Sequence, residues 1–216
     1  RIFNRAITSE EVETLYNEVQ CVPDIVAASN FNTVIWSADG TSGDIDINSV
    51  GFQPDFVWAK IRTQAYSHTL FDSVRGVGST HMLWSDETTS ESGTTTSASN
   101  NGFVSSFNID GFTGATGTNV NAYFNLTGND YVAWCWKAAD TTTTISAGTV
   151  GNTTASEVRA NQDAGFSIVK YQGNNTLGAT IGHGLSSAPE MIIIKNYSLS
   201  IGQRWVIGHN NMDSSS

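Results

Sequence analysis

The spacing of apolar residues changes character once along the chain. Up to about residue 22 it follows a helical period, with Val12, Leu15, Tyr16 and Val19 at i, i+3, i+4 and i+7 on one face. Thr8 suits an N-cap, Glu11 completes a capping box and Ile7 can staple onto Val12, so one short helix is predicted, ending at Pro23. From Phe31 onward the period becomes two. Phe103, Ser105, Phe107 and Ile109 alternate with Val104, Ser106 and Asn108, and Asp110-Gly111 supplies a turn. Residues 131–136 predict a second strand, with Val132, Trp134 and Trp136 on one face and Tyr131, Ala133 and Cys135 on the other. Both faces are apolar enough for burial on two sides. Residues 88–101 and 114–121 are rich in Ser, Thr, Gly and Asn and read as loops, while 139–155 reads as a linker or an extended connection.

The same pattern occurs twice. Setting Phe31-Asn32-Thr33-Val34 over Phe166-Ser167-Ile168-Val169 fixes an offset of 135 residues that holds without a gap for about thirty positions. Trp36 then falls on Tyr171, Thr41 on Thr176, Gly43 on Gly178, Pro54 on Pro189, Asp55 on Glu190 and Lys60 on Lys195. The apolar run Phe56-Val57-Trp58 meets Met191-Ile192-Ile193. A Pro, an acid, an apolar strand and a Lys recurring in register predict a duplicated unit. Each Pro is placed at the start of a strand, where its missing N–H leaves the ladder intact. The expected fold class is all-β: antiparallel, jelly-roll-like β-sandwich modules in tandem, with one short N-terminal helix. The expected division is a remnant of a preceding domain at 1–22, a linker at 23–30, a first module at 31–138, a linker or extended connection at 139–164, and the start of a second, truncated copy at 165–216. The opening at Arg1 in mid-pattern suggests a fragment of a longer chain.

Composition narrows the partners. The chain is 39% hydrophobic, enough for a core, but only 14% charged, against about 25% in ordinary soluble domains. With a net charge of −10 and ten scattered Lys and Arg, nucleic acid is not an expected partner. No apolar run approaches the length of a membrane span, so membrane insertion is not expected either. Cys21 and Cys135 do not make a disulfide framework and are expected to be reduced, buried small hydrophobes.

Motifs of catalysis are missing from the sequence: no Gly-x-Ser-x-Gly elbow, no Walker loop, no His-Glu-x-x-His. His68, His81, His183 and His209 are dispersed, so neither a metal nor another cofactor is expected. Asp44 with Asp46 could in principle cleave a glycan, yet Asp-Ile-Asp-Ile-Asn is also the pattern of a half-exposed strand, and it lacks the Gly and Glu of a calcium loop. No catalytic residue is assigned. The ligand-binding candidates are Tyr66, His68, Asp72 and Arg75, a mixture of aromatic and charged groups able to stack on and bond a sugar. Asp72 and Arg75 could instead pair with each other or brace a turn. Trp84 and Trp205 are further stacking candidates, although a Trp in a β protein more often packs in the core.

Two resemblances follow from longer motifs. Arg1-Ile2-Phe3-Asn4-Arg5-Ala6-Ile7-Thr8-Ser9-Glu10-Glu11-Val12 resembles the C-terminal end of a laminin-G-like, concanavalin A-type jelly roll, whose strands would lie upstream. Gly51-Phe52-Gln53-Pro54-Asp55-Phe56-Val57-Trp58, Ser67-His68-Thr69-Leu70-Phe71-Asp72-Ser73-Val74-Arg75-Gly76 and Tyr131-Val132-Ala133-Trp134-Cys135-Trp136-Lys137 resemble a tandem module of unassigned function in structural proteins of marine bacteriophages. Residues 182–185 and 188–196 resemble its next copy. The resemblance implies a non-enzymatic structural or adhesive piece of a virion, such as a tail fibre or appendage, presenting loops for host attachment. Its implied partners are other virion proteins, further copies of itself (a trimer, for example) and a host surface glycan. The alternatives are a carbohydrate-binding module of a secreted bacterial protein and, behind it, a glycan depolymerase using Asp44 and Asp46.

Overall fold

A computed structural model describes residues 8–9, 29–41, 43–91, 100–118, 121–148, 153–199 and 203–212. The helix predicted over the first 22 residues lies outside them except for Thr8 and Ser9, as does Cys21. The described chain is an all-β, antiparallel sandwich with smaller sheets attached. Its strands are β1 (Phe31–Ser37), β2 (Ile45–Ile47), β3 (Phe56–Ile61), β4 (Thr69–Asp72), β5 (Leu83–Trp84), β6 (Phe103–Asn108), β7 (Gly111–Ala115), β8 (Asp130–Trp136), β9 (Thr143–Ile145), β10 (Ser156–Asn161), β11 (Phe166–Tyr171), β12 (Met191–Ile194) and β13 (Val206–His209).

One layer of the sandwich is a five-stranded sheet in the order β1-β8-β3-β4-β5, and the other is β2-β7-β6. Alternation decides what faces inward. β3 turns Val57, Ala59 and Ile61 to the core and Phe56, Trp58 and Lys60 outward, and its neighbour β8 turns Tyr131, Ala133 and Cys135 inward. The opposite layer contributes Ile47, Val104 and Phe112. Full burial of each such side chain stabilises the fold by about 1.5–3 kcal/mol. Phe124 sits between the layers against Phe71 and Phe112, and Gly114 makes its seat: a Cβ there would lie 2.5 Å from that of Phe124. At the β6–β7 turn Gly111, with φ of 154°, passes so close to Ile47 that a Cβ would collide with its carbonyl.

The segment 121–129, which leads into β8, is held by buried amides. Asn125 donates to Asp39 Oδ1 and to the Gly43 carbonyl, and Asn129 accepts from the Thr63 hydroxyl. The Tyr131 hydroxyl accepts from the Leu126 amide and donates to the Ala122 carbonyl, while burial pushes its pKa up to about 12.

Residues 139–164, expected as a linker or extended connection, carry β9 and β10, which join β11 in a separate sheet of order β11-β10-β9. The β-branched run Thr141-Thr142-Thr143-Thr144-Ile145 favours a pleated conformation, and β10 supplies its partner. Asp55 fastens this sheet to the sandwich. One carboxylate oxygen accepts from Arg159 and Ser73, the other from the Ala138 amide, so β3, β4, β8 and β10 meet at a single buried acid. Phe166 adds an aromatic contact onto Phe56 and Trp136. The β12–β13 hairpin is hung from the other edge, where Trp205 donates to the Trp84 carbonyl and the Gln203 amide to that of Thr88.

At the 135-residue offset, β11 corresponds to β1 and β12 to β3. The hairpin β12–β13 runs like β3–β4, except that Met191 pairs with His209, two positions beyond the counterpart of the Asp72 that pairs with Phe56. A shift of two keeps the same faces in phase.

Candidate functional site

The outward face of the five-stranded sheet carries a row of aromatic side chains. Trp58 and Trp134 are register partners on β3 and β8, and their rings meet edge to face at 6.3 Å. His68 stands just before β4 and reaches across. Its Nδ1 accepts the Trp58 indole N–H at 2.8 Å, and its ring runs parallel to that of Trp134. That hydrogen bond requires an unprotonated Nδ1, which places the proton of the neutral ring on Nε2. The surroundings favour the neutral form: burial lowers the His68 pKa first, the Lys60 charge second, and Asp86 opposes both. Lys60, next along β3, donates to the carbonyls of Ile61 and Gln64 and so pins the loop that delivers His68. Burial lowers its own pKa, with Asp86 again opposing.

The row continues at both sides. Thr33 is the register partner of Trp134 on β1 and is exposed, and Ile35 beyond it is 70% exposed. Toward the start of β3, Phe31, Trp136 and Phe56 pack in sequence, and Phe166 closes that end. The stretch between is Trp58, His68 and Trp134, each half-buried and flanked by a hydroxyl and an ammonium group. Aromatic faces beside polar hydrogens suit a ligand with one apolar face and a hydroxylated rim.

Comparison with known families matches a domain of unknown function, DUF7483, to residues 27–216. The chain belongs to this family. The match takes in both the sandwich and β9 to β13. No curated protein and no solved structure matches the chain.

In this DUF7483 domain the residues singled out in the sequence part company. His68 lies in the aromatic row, and Tyr66, in the same loop as His68 and 36% exposed, lies edge-on to Tyr123. Asp72 and Arg75 are turned toward each other. The Arg75 Nε bonds Asp72 Oδ2, its Nη1 bonds Glu91 and the His81 carbonyl, and Asp72 also caps the turn through the amides of Val74 and Arg75. The pair braces a turn, and its side chains are 7% and 8% exposed. Trp84 is core, 2% exposed, with its indole N–H on the Tyr123 hydroxyl. Trp205 is half-buried as an anchor of the hairpin, with Lys195 over its ring.

Asp44 and Asp46 each accept a bond from β7 or the residue after it, Thr116 N and the Thr113 hydroxyl, which ties a short edge strand to its neighbour. Among the described residues no group of three or more His, Cys, Asp or Glu could hold a metal, and no helix is long and apolar enough to cross a membrane. Sequence reasoning missed Trp58. The signal was its alternation with Phe56 and Lys60, but the meeting with Trp134 depends on a strand pairing across some seventy residues.

Proposed function

We propose that the chain is a structural and adhesive module of an extended appendage, such as a phage tail fibre, and that its outward aromatic row meets host surface glycans. The observation that carries this reading is the Trp58–His68–Trp134 arrangement, with Trp58 oriented by a hydrogen bond to His68 and an exposed hydroxyl beside Trp134. A sugar ring stacked on Trp134 would offer its hydroxyls to Thr33 and Lys60. One such contact is weak, and repetition along a fibre would raise it to useful avidity.

The test is a glycan array probed with the native chain and with Trp134→Ala. The native chain should bind a defined glycan set, and the variant should lose about fivefold in affinity, the scale of a single aromatic contact. Silence across the array would remove adhesion and leave the structural role. Immunogold labelling of purified virions from the source phage tests that role separately, since unlabelled particles would end it.

A further inference from the structure

We propose that the sandwich holds a second sugar subsite, at Ser37, Arg62 and Asp130, and that its ligand is an uncharged oligosaccharide laid along β3 and β8. The proposal rests on the glycan reading of the aromatic row and adds the length and charge of what is bound. An open cleft of about 330 Å³ lies there, lined by Ile35, Trp36, Ser37, Arg62 and Asp130. That volume suits a small ligand or one end of a longer one. All five residues belong to β1, to β8 or to the position that follows β3, so the first module builds the cleft alone.

Strand pairing sets this cleft in line with the aromatic row. Trp134 pairs with Thr33 on β1 and with Trp58 on β3. Two residues along, Val132 pairs with Ile35 and Lys60. Two further on, Asp130 pairs with Ser37, and its carbonyl accepts the Arg62 amide at 2.7 Å. Steps of two stay on one face of a sheet, so the three rows make a continuous track. At about 3.3 Å per residue, the four residues from Trp134 to Asp130 put the cleft about 13 Å along the strand from the aromatic row. One sugar ring cannot cover both places, whereas an oligosaccharide can. Between them, exposed Ile35 and half-buried Val132 offer an apolar step.

The polar groups of the cleft have bonding capacity to spare. Arg75 and Arg159 close on carboxylates at 2.5 and 2.7 Å. Arg62 stands in register with Asp130, yet among the described residues its side chain makes no hydrogen bond or ion pair. Asp130 Oδ1 accepts the Ser37 hydroxyl at 2.6 Å, and among the described residues Oδ2 has no donor. A donor fork and a free carboxylate oxygen lining one cleft match neighbouring hydroxyls of a sugar: one hydroxyl accepts from the guanidinium and the next donates to the carboxylate. The balance of charge selects an uncharged ligand. Arg62 and Asp130 cancel, and the net charge of −10 on the chain repels a polyanion.

The experiment titrates cello-, xylo-, manno- and laminari-oligosaccharides into the native chain by calorimetry, each as disaccharide and hexasaccharide, with an alginate hexamer as the charged probe. A neutral hexasaccharide should bind about tenfold tighter than its disaccharide, because the cleft acts on a ligand already tethered at the aromatic row. Arg62→Ala should cut that ratio to about twofold, whereas Trp134→Ala should weaken both lengths. Amide NMR of the native chain reads the same contact without any variant: the hexasaccharide should shift residues 35–37, 62 and 130 together with 58 and 134, and the disaccharide only the last two. Equal affinity for the two lengths, shifts that never reach 62 and 130, or tighter binding of the alginate hexamer would overturn the proposal and leave the glycan reading standing. Silence across these sugars would overturn it as well, and the glycan array then decides the reading of the aromatic row on its own.

Discussion

The sandwich of β1 to β8 and the hairpin of β12 and β13 begin from similar sequence and end in opposite environments. In β3, Val57 and Ala59 are sealed between β8 and the facing sheet. In β12, Ile192 and Ile194 are more hydrophobic than the residues they correspond to and yet lie open. Apolar side chains specify a strand, but burial needs a covering layer, and among the described residues β3 has one and β12 does not. The acids that follow the two prolines differ in the same way: Asp55 is a buried hub, whereas Glu190 is exposed.

The sharpest way to break this contrast is chemical. Burial pushes the Cys135 thiol up to about 12. In a Cys21→Ser background at pH 8, Cys135 should therefore alkylate at least about a thousandfold more slowly than a cysteine introduced by Ile193→Cys. Comparable rates would mean that β8 is not sealed. Next in size is truncation. Phe124→Ala removes a ring packed on Phe71 and Phe112 and should cost about 3–5 kcal/mol in denaturant unfolding, against less than about 0.5 for Ile193→Ala.

Asp55→Ala should cost about 2–4 kcal/mol, because it strands Arg159 and two further donors, the Ser73 hydroxyl and the Ala138 amide, while Glu190→Ala should stay within about 0.5. Similar losses at the two acids would erase the distinction between hub and surface. The smallest effect belongs to His68. Its pKa is lowered in the folded chain, so the unfolded chain takes up a proton more readily as pH falls. The stability it contributes is present above about pH 6.5 and is lost as acid drives the ring through its lowered value. Tryptophan fluorescence should report it as an acid transition, from rupture of the Trp58 bond, that His68→Gln removes.

Much of the fold was legible in the sequence because β-structure writes itself in period two. The strands at 103–108 and 130–136 follow from alternation, while the turn expected at Asp110-Gly111 falls one residue earlier, at Ile109-Asp110, and two apolar faces at 131–136 left open which of them, that of Tyr131, Ala133 and Cys135, is the buried one. β9 was hidden because a Thr-rich strand looks like linker until a neighbour supplies its hydrogen bonds, and β10 because Ser156–Asn161 is largely polar. The candidate site was half legible. His68 and Tyr66 stood out as polar aromatics, but Trp58 and Trp134 become a pair only through β3 lying beside β8. The pairing of Arg75 with Asp72 and the core position of Trp84 were among the sequence readings, whereas the further partners Glu91 and Tyr123 lie distant in sequence.

The placement of β8 between β1 and β3 has a consequence for synthesis. An interior strand of the large sheet is the last of its five to be made, so β1 and β3 must wait, unpaired with each other, while the intervening chain emerges. At about 5–20 residues per second, the interval from Ile61 to Asp130 lasts roughly 4–14 s. Closure of so non-local a sheet is then a late, cooperative event, and the nascent apolar strands must stay apart from one another until it happens.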